Sequence, residues 1–151
     1  MKLHLHLKPE DELNGYTNIC LSETSDWSKD LDDQVDDAEV TELIANNVLE
    51  FVPLTKLIDF LAQMIRKLRH DGTIIVAGVD AYTVAKQFAN YKLSIEEFNV
   101  LLHGLQQTDN DVKLATLTLH GMVNFLKEEF GLTIIRKNLE DYNYFIEAKR
   151  P

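Results

Sequence analysis

The chain has 151 residues, 45% hydrophobic and 26% charged, with five Tyr, seven Phe and one Trp, a balance that gives one domain with a sizeable core and excludes a disordered chain. A formal charge of −10 repels phosphate backbones, so nucleic acid is not an expected partner, and the single Cys20 excludes an internal disulfide and a cysteine-based zinc site. With neither a signal peptide nor a long apolar span, the chain reads as cytoplasmic, without a membrane partner.

From Lys2 to Lys8 polar and apolar residues alternate, with Leu3, Leu5 and Leu7 on one side and His4 and His6 on the other, which is the period of a strand. His4 and His6 have the spacing of a two-imidazole pair, but no third or fourth ligand stands near them in sequence, so no metal is assigned. Pro9 to Gly15 is too short for a full crossover helix and holds one abbreviated turn or a bare loop. Tyr16 to Leu21 is the second strand. Between Glu23 and Glu42 nine carboxylates face the single cation Lys29, and without EF-hand spacing this reads as a solvated, mobile loop rather than a divalent-cation site.

The central unit begins with the apolar run Leu43-Ile44-Ala45. Pro53 suits a first helical turn, and Leu54, Leu57, Ile58, Leu61, Ala62, Ile65 and Leu68 recur at three- and four-residue intervals as one buried stripe. Arg66, Lys67, Arg69 and His70 place positive charge in the last turns, and Gly72 supplies a left-handed stop. Thr73 to Val79 is apolar on both faces, as in a strand buried in a parallel sheet, and ends at Asp80. Strand, helix and strand together form a right-handed crossover unit.

Thr83 to Tyr91 forms a short helix through Val84, Ala85, Phe88 and Ala89. Ser94 and Glu97 have the spacing of a capping box, with Leu93 and Phe98 as a hydrophobic staple. The helix that follows turns Phe98, Leu101, Leu102 and Leu105 to the core and stops near Gln106-Gln107. A final helix from about Ala115 to Phe130 carries Leu119, Met122, Val123, Leu126 and Phe130 and closes at Gly131. Thr133 to Lys137 and Tyr142 to Ala148 are strand-like, and the short link Asn138 to Asp141 makes them a hairpin. The exposed edge strand and the Phe/Tyr-rich hairpin point to a homodimer, through sheet edges or faces.

Several stretches resemble a small family of class I S-adenosylmethionine (SAM)-dependent methyltransferases. That family opens "MKLHLGCG" and continues "LPGYVNVDL"; here Met1-Lys2-Leu3-His4-Leu5 and Leu13-Asn14-Gly15-Tyr16-Thr17-Asn18-Ile19-Cys20-Leu21 stand in those places. Its "hVLEH", "RVLKPGG" and "PD" motifs correspond to Asn47-Val48-Leu49-Glu50-Phe51, Arg66 to Gly72, and Val79-Asp80. A "lihGxQ…hK" stretch corresponds to Leu102 to Gln107 followed by Lys113. The resemblance implies a Rossmann-like methyltransferase fold, α/β, with a mostly parallel sheet, a C-terminal antiparallel hairpin, and an N-terminal half truncated by the loss of its first helix.

The resemblance also implies a SAM site, and the departures fall along it. The glycines after the first strand, which let backbone approach the cofactor, are replaced by His6, Leu7 and Lys8. Cys20 stands where the family has a ribose-binding aspartate, with Glu23 as a substitute if the loop folds back, and the histidine of "LEH" is Phe51. His6, Lys8, Glu23, Asn46 and Asp80 would make any remaining cofactor contacts; Glu50, His103 and Gln106 would face a substrate; no catalytic residue is assigned. Each has a plainer reading: Glu50 at the positive end of a helix, Asp80 as a helix cap, His103 and Gln106 as a structural turn. Loss of ordinary SAM binding, with a binding or assembly role, is one expectation; an enzyme methylating a sugar, lipid-linked or other small acceptor from an atypical site is the other.

Overall fold

A computed structural model of the chain describes residues 1–21, 26–108 and 111–151. Its strands are β1 (Lys2–His6), β2 (Thr17–Cys20), β3 (Val40–Asn46), β4 (Leu68–Val79), β5 (Thr133–Glu140) and β6 (Asn143–Lys149). They form one sheet in the order β2-β1-β3-β4-β6-β5. The first four are parallel, and β6 lies antiparallel between β4 and β5. The helices are α1 (Trp27–Gln34), α2 (Leu54–Lys67), α3 (Ala81–Ala89), α4 (Ile95–His103) and α5 (Leu119–Asn124), the last running on as a π-helical turn over Phe125–Glu129. The predicted α/β class, parallel sheet and terminal hairpin are all present.

Handedness decides where the helices go. The connections β2 to β3, β3 to β4 and β4 to β5 all step the same way across the sheet, and right-handed crossovers in one direction put their helices on one face. Among the connections between parallel strands, β1 to β2 steps back, and it holds a single 3₁₀ turn, Pro9–Asp11, in place of a helix. Among the described residues the opposite face therefore has no helical layer. Burial follows the same division: Leu3, Leu5, Leu43, Ala45, Ile74, Val76, Ile146 and Ala148 are at 0% exposure under α1, α2 and α5. Ile44, Ile75, Ala77 and Phe145, which alternate with them, are only half-buried. The expectation that Thr73 to Val79 is buried on both faces is thus corrected, because the layer that would cover the second face is missing.

From Asp26 onward the acidic segment is not the mobile loop its charge suggested. Asp26 caps α1 by accepting from the Lys29 amide at 3.1 Å, and Leu31 and Val35 are buried, with Trp27 tilted against Phe60 of α2. Each such side chain contributes about 1.5–3 kcal/mol by leaving water. The carboxylates face α2: Lys67, almost fully buried, lies 2.7 Å from Asp32 and 2.8 Å from Asp37, and Arg66 reaches both. Glu23 lies outside the described residues.

Several predicted boundaries move. α2 stops at Lys67 because Leu68, fully buried, already pairs with Val40, so Arg69 and His70 belong to the strand. The left-handed residue is Asp71 at φ 62°, not Gly72; at Gly72 an added Cβ would come within 2.9 Å of the Arg69 and Val40 carbonyls. The Ser94–Glu97 capping box forms as predicted, but Gly104 at φ 79° ends α4 early and leaves Leu105 58% exposed. α5 starts at Leu119, capped by Thr118, so Ala115 and Leu117 are buried in extended chain rather than in a helix. β5 runs to Glu140, and Asp141 at φ 53° makes the hairpin turn.

The Lys67 hydrogen bond is the main reason that the Asp32 carboxyl titrates at about 2 rather than 3.8. A depressed carboxylate pKa contributes stability that is complete above the unfolded value and lost as pH falls through the folded one. Wild-type protein should therefore lose stability between pH 3.8 and about 2 more steeply than Lys67→Met, as measured by denaturant unfolding across a pH series.

Candidate functional site

Open α/β sheets take ligands at the carboxyl ends of their parallel strands, where loops and helix starts converge. Here those ends carry His6 to Lys8 after β1, Asn46 to Phe51 after β3, and Asp80 after β4. Register sets His6 opposite Cys20 and places Asn46, two residues beyond the His4–Ile44 pair, beside it. The sheet thus gathers His6, Cys20 and Asn46 at one level.

The end of β1 is closed by its own side chains. His6 is 3% exposed, and its Nδ1 donates to the Lys8 carbonyl at 2.7 Å, which fixes the tautomer and leaves Nε2 buried with no partner among the described residues. Its ring stacks on His4 at 5.1 Å. His4 donates to Asn18 Oδ1 at 2.9 Å, and Asn18 also holds the Leu13 amide and carbonyl, so the β1–β2 loop is tied down against the imidazoles. Burial holds the His4 pKa below its ordinary value, against the raising effect of Asn18. Lys8 and Asn46 are exposed. Among the described residues no three His, Cys, Asp or Glu side chains gather as a metal site requires.

The carboxylates of Glu50 and Asp80 are held differently. Asp80, 3% exposed, caps α3: Oδ2 accepts from the Thr83 amide at 3.0 Å and its hydroxyl at 2.6 Å, while Oδ1 accepts from the Leu119 amide at 2.8 Å. One side chain thereby joins the end of β4 to the starts of α3 and α5. Glu50, 2% exposed, sits in the 3₁₀ turn Leu49–Phe51. Its Oε1 accepts from the Val79 amide at 2.8 Å, and its Oε2 lies 2.6 Å from Lys113 Nζ. Lys113 also donates to the Leu101 carbonyl at 2.9 Å, and the Glu50 carbonyl accepts from Leu114 and Ala115. A Cβ on Gly78 would overlap the Glu50 carboxylate, so glycine is required for this close approach. Over the cluster stands Tyr144, 1% exposed, its hydroxyl without a partner among the described residues. Burial, reinforced by the Glu50 and Asp80 charges, drives its phenol pKa upward.

His103 and Gln106 do not turn their side chains into this cluster. Both are exposed; the His103 carbonyl accepts from the Lys113 amide at 3.1 Å, and Gln106, at φ 57°, belongs to the turn that ends α4. His103 is the last residue of α4, and Gln106 lies in the turn after it. Lys113 and Tyr144 are the partners that sequence reasoning did not assign. Lys113 had a signal in the stretch it closes, and Tyr144 had one as a polar-tipped ring at an inward position of β6.

Several cavities are lined by described residues. One of about 260 Å³ lies among Trp27, Phe51, Lys56 and Phe60, and one of about 450 Å³ among Tyr82, Leu119, His120 and Leu139.

Solved structures share this arrangement of strands and helices. A SAM-dependent methyltransferase from Methanosarcina mazei superposes with a TM-score of 0.61 at 11% identity, over 97% of this chain and 80% of that one. A SAM-dependent methyltransferase from Archaeoglobus fulgidus gives 0.56 at 10% identity, over 97% and 74%. Magnesium protoporphyrin IX methyltransferase from Synechocystis, with bound SAH, gives 0.53 at 14%, over 95% and 55%. This chain has the class I methyltransferase-like fold. No family model matches the sequence, and no curated protein does. In this fold Val48-Leu49-Glu50 follow β3 and Val79-Asp80 close β4.

Breaking a buried ion pair leaves a charge uncompensated, which costs about 3–5 kcal/mol, whereas removing an unpartnered buried hydroxyl costs little. Lys113→Ala should therefore lower unfolding free energy by about 3 kcal/mol. Tyr144→Phe should leave it within about 1 kcal/mol or raise it. Denaturant midpoints of the two variants check both.

Proposed function

We propose that this chain is a methyltransferase-like domain that does not hold SAM in the usual mode and serves as a binding or assembly module. The observation that carries this reading is that both retained acidic residues, Glu50 and Asp80, already use their oxygens on the chain's own amides, the Thr83 hydroxyl and Lys113. A cofactor hydroxyl or ammonium would have to displace bonds that join β4, α3 and α5.

The residues at the end of β1 fit the cofactor no better. No glycine occurs before Gly15, and the buried His6 ring occupies the position from which a glycine loop would offer bare backbone. We derive no methyl-transfer step from this geometry. The second reading, an atypical SAM site serving a sugar, lipid-linked or other small acceptor, draws support from the cleft among Trp27, Phe51 and Phe60, whose rings offer faces for a flat ligand. At about 260 Å³ that cleft falls just below the roughly 300–1,000 Å³ of ordinary small-molecule pockets. Among the described residues no helix is long and apolar enough to cross a membrane.

Calorimetric titration with SAM and with S-adenosylhomocysteine tests the proposal on wild type, Lys8→Ala and Asp80→Ala. The expected result is no binding heat from folded wild type, with Asp80→Ala destabilised by about 1–2 kcal/mol through loss of its cap. Micromolar binding weakened by Lys8→Ala or Asp80→Ala would instead establish a remodelled cofactor site.

A further inference from the structure

The sheet face that carries no helices is the largest feature the cofactor question leaves unexplained. Its middle is an apolar strip in register across three strands, with Ile44 beside Ile75 and Ala77 beside Phe145. Next to the strip lies a hollow of about 310 Å³ bounded by Ala77, Arg136, Asn138, Glu140 and Phe145. The Arg136 guanidinium stacks on the Phe145 ring at 4.9 Å and walls one side.

Charge on this face differs from that of the rest of the chain. Alternation along the strands puts Lys2, Arg136 and Lys149 on it together with Glu42, Glu140 and Glu147. The signs are interleaved: Lys2 reaches Glu42 at 3.5 Å on one flank, and Arg136 reaches Glu147 at 3.3 Å on the other. The strand positions of this face sum to zero, so most of the formal −10 of the chain lies off them, Asp11 beside His4 at the β1 margin included.

We infer that this face docks a second copy of the chain, sheet against sheet. Two chains of charge −10 repel wherever their acidic surfaces meet, but charges farther apart than about 8 Å are largely screened at physiological ionic strength. A neutral face with interleaved signs is the surface through which such a chain can approach its like. A strongly basic or acidic partner finds no complementary field there. Two identical twisted sheets stack about 10 Å apart at about −30°, and a twofold axis sets each copy's strip against the other's. The sheet edge offers a poorer route, since β5 places Arg136, Lys137 and Glu140 along its exposed length and charged edges resist pairing. The inference gives the assembly reading a surface, and its test does not depend on whether SAM binds.

Sedimentation equilibrium over a concentration series, run on the full chain, reads the outcome. Wild type is expected to approach twice its 17.3 kDa mass. Ile75→Lys, which sets two ammonium groups into the apposed strips, is expected to sediment as a single chain while keeping a cooperative circular-dichroism melt. Leu139→Lys, on β5 but facing the other way, should leave the dimer intact. Ile75→Thr keeps the strand and should raise the dimer dissociation constant about tenfold, the effect of roughly 1.4 kcal/mol; it decides the matter if the lysine variant unfolds. Wild type at 17.3 kDa throughout, a dimer indifferent to Ile75→Lys, or an unchanged constant in a folded Ile75→Thr would each overturn the inference.

Discussion

Three crossovers that step in one direction and a fourth that steps back without a helix account for most of this molecule. Right-handedness allows no choice about where α1, α2 and α5 lie, so all three bury the same sheet face against one continuous core. The reverse step from β1 to β2 is the place where a helix would cover the other face, and Pro9–Asp11 is too short to do so. From that one shortened connection follow the half-buried strip on the sheet and the closed end of β1, where His6 bonds back to Lys8.

Buried polar groups then hold the helices in register with the sheet. Asp80 ties β4 to α3 and α5, Glu50 and Lys113 tie the turn after β3 to the end of α4, and Lys67 draws the acidic α1 down onto α2. A buried ion pair is weak as a source of net stability against an apolar alternative, but it is strongly selective for one arrangement, because any other arrangement strands a charge. The same geometry that makes Glu50 and Asp80 good staples leaves them few free lone pairs for a ligand. Both carboxylates therefore have a structural role in this chain that does not require catalysis.

How much of this could be read from the sequence depended on the range of the interaction concerned. The capping box at Ser94 and Glu97 and the alternation of β1 were legible, because each is decided within a few residues. α1 was not: eight residues with Trp27 and Leu31 as their only apolar anchors look like loop until Lys67 and Arg66, far on in the chain, neutralise Asp32 and Asp37. The end of α2 was misplaced for a similar reason, since pairing with Val40 pulls Leu68 out of a helix that its own periodicity would continue. At the candidate site, the sequence singled out Glu50 and Asp80 but could not say what their oxygens touch. Lys113 and the Val79 and Leu119 amides reach them only through tertiary folding.

An exposed, partly apolar sheet face is normally a liability, because it invites nonspecific association. Here the invitation is restricted on both sides. The strong negative charge of the whole chain opposes contact through most of its surface, and charged residues guard the β5 edge. The neutral strip is left as the least opposed point of approach, and its ion pairs at either flank penalise partners that do not match their signs. Loss of the first crossover helix thus links the two halves of the functional reading. It removes the helix that would follow a cofactor-binding loop, and it uncovers the surface proposed to dock a second copy.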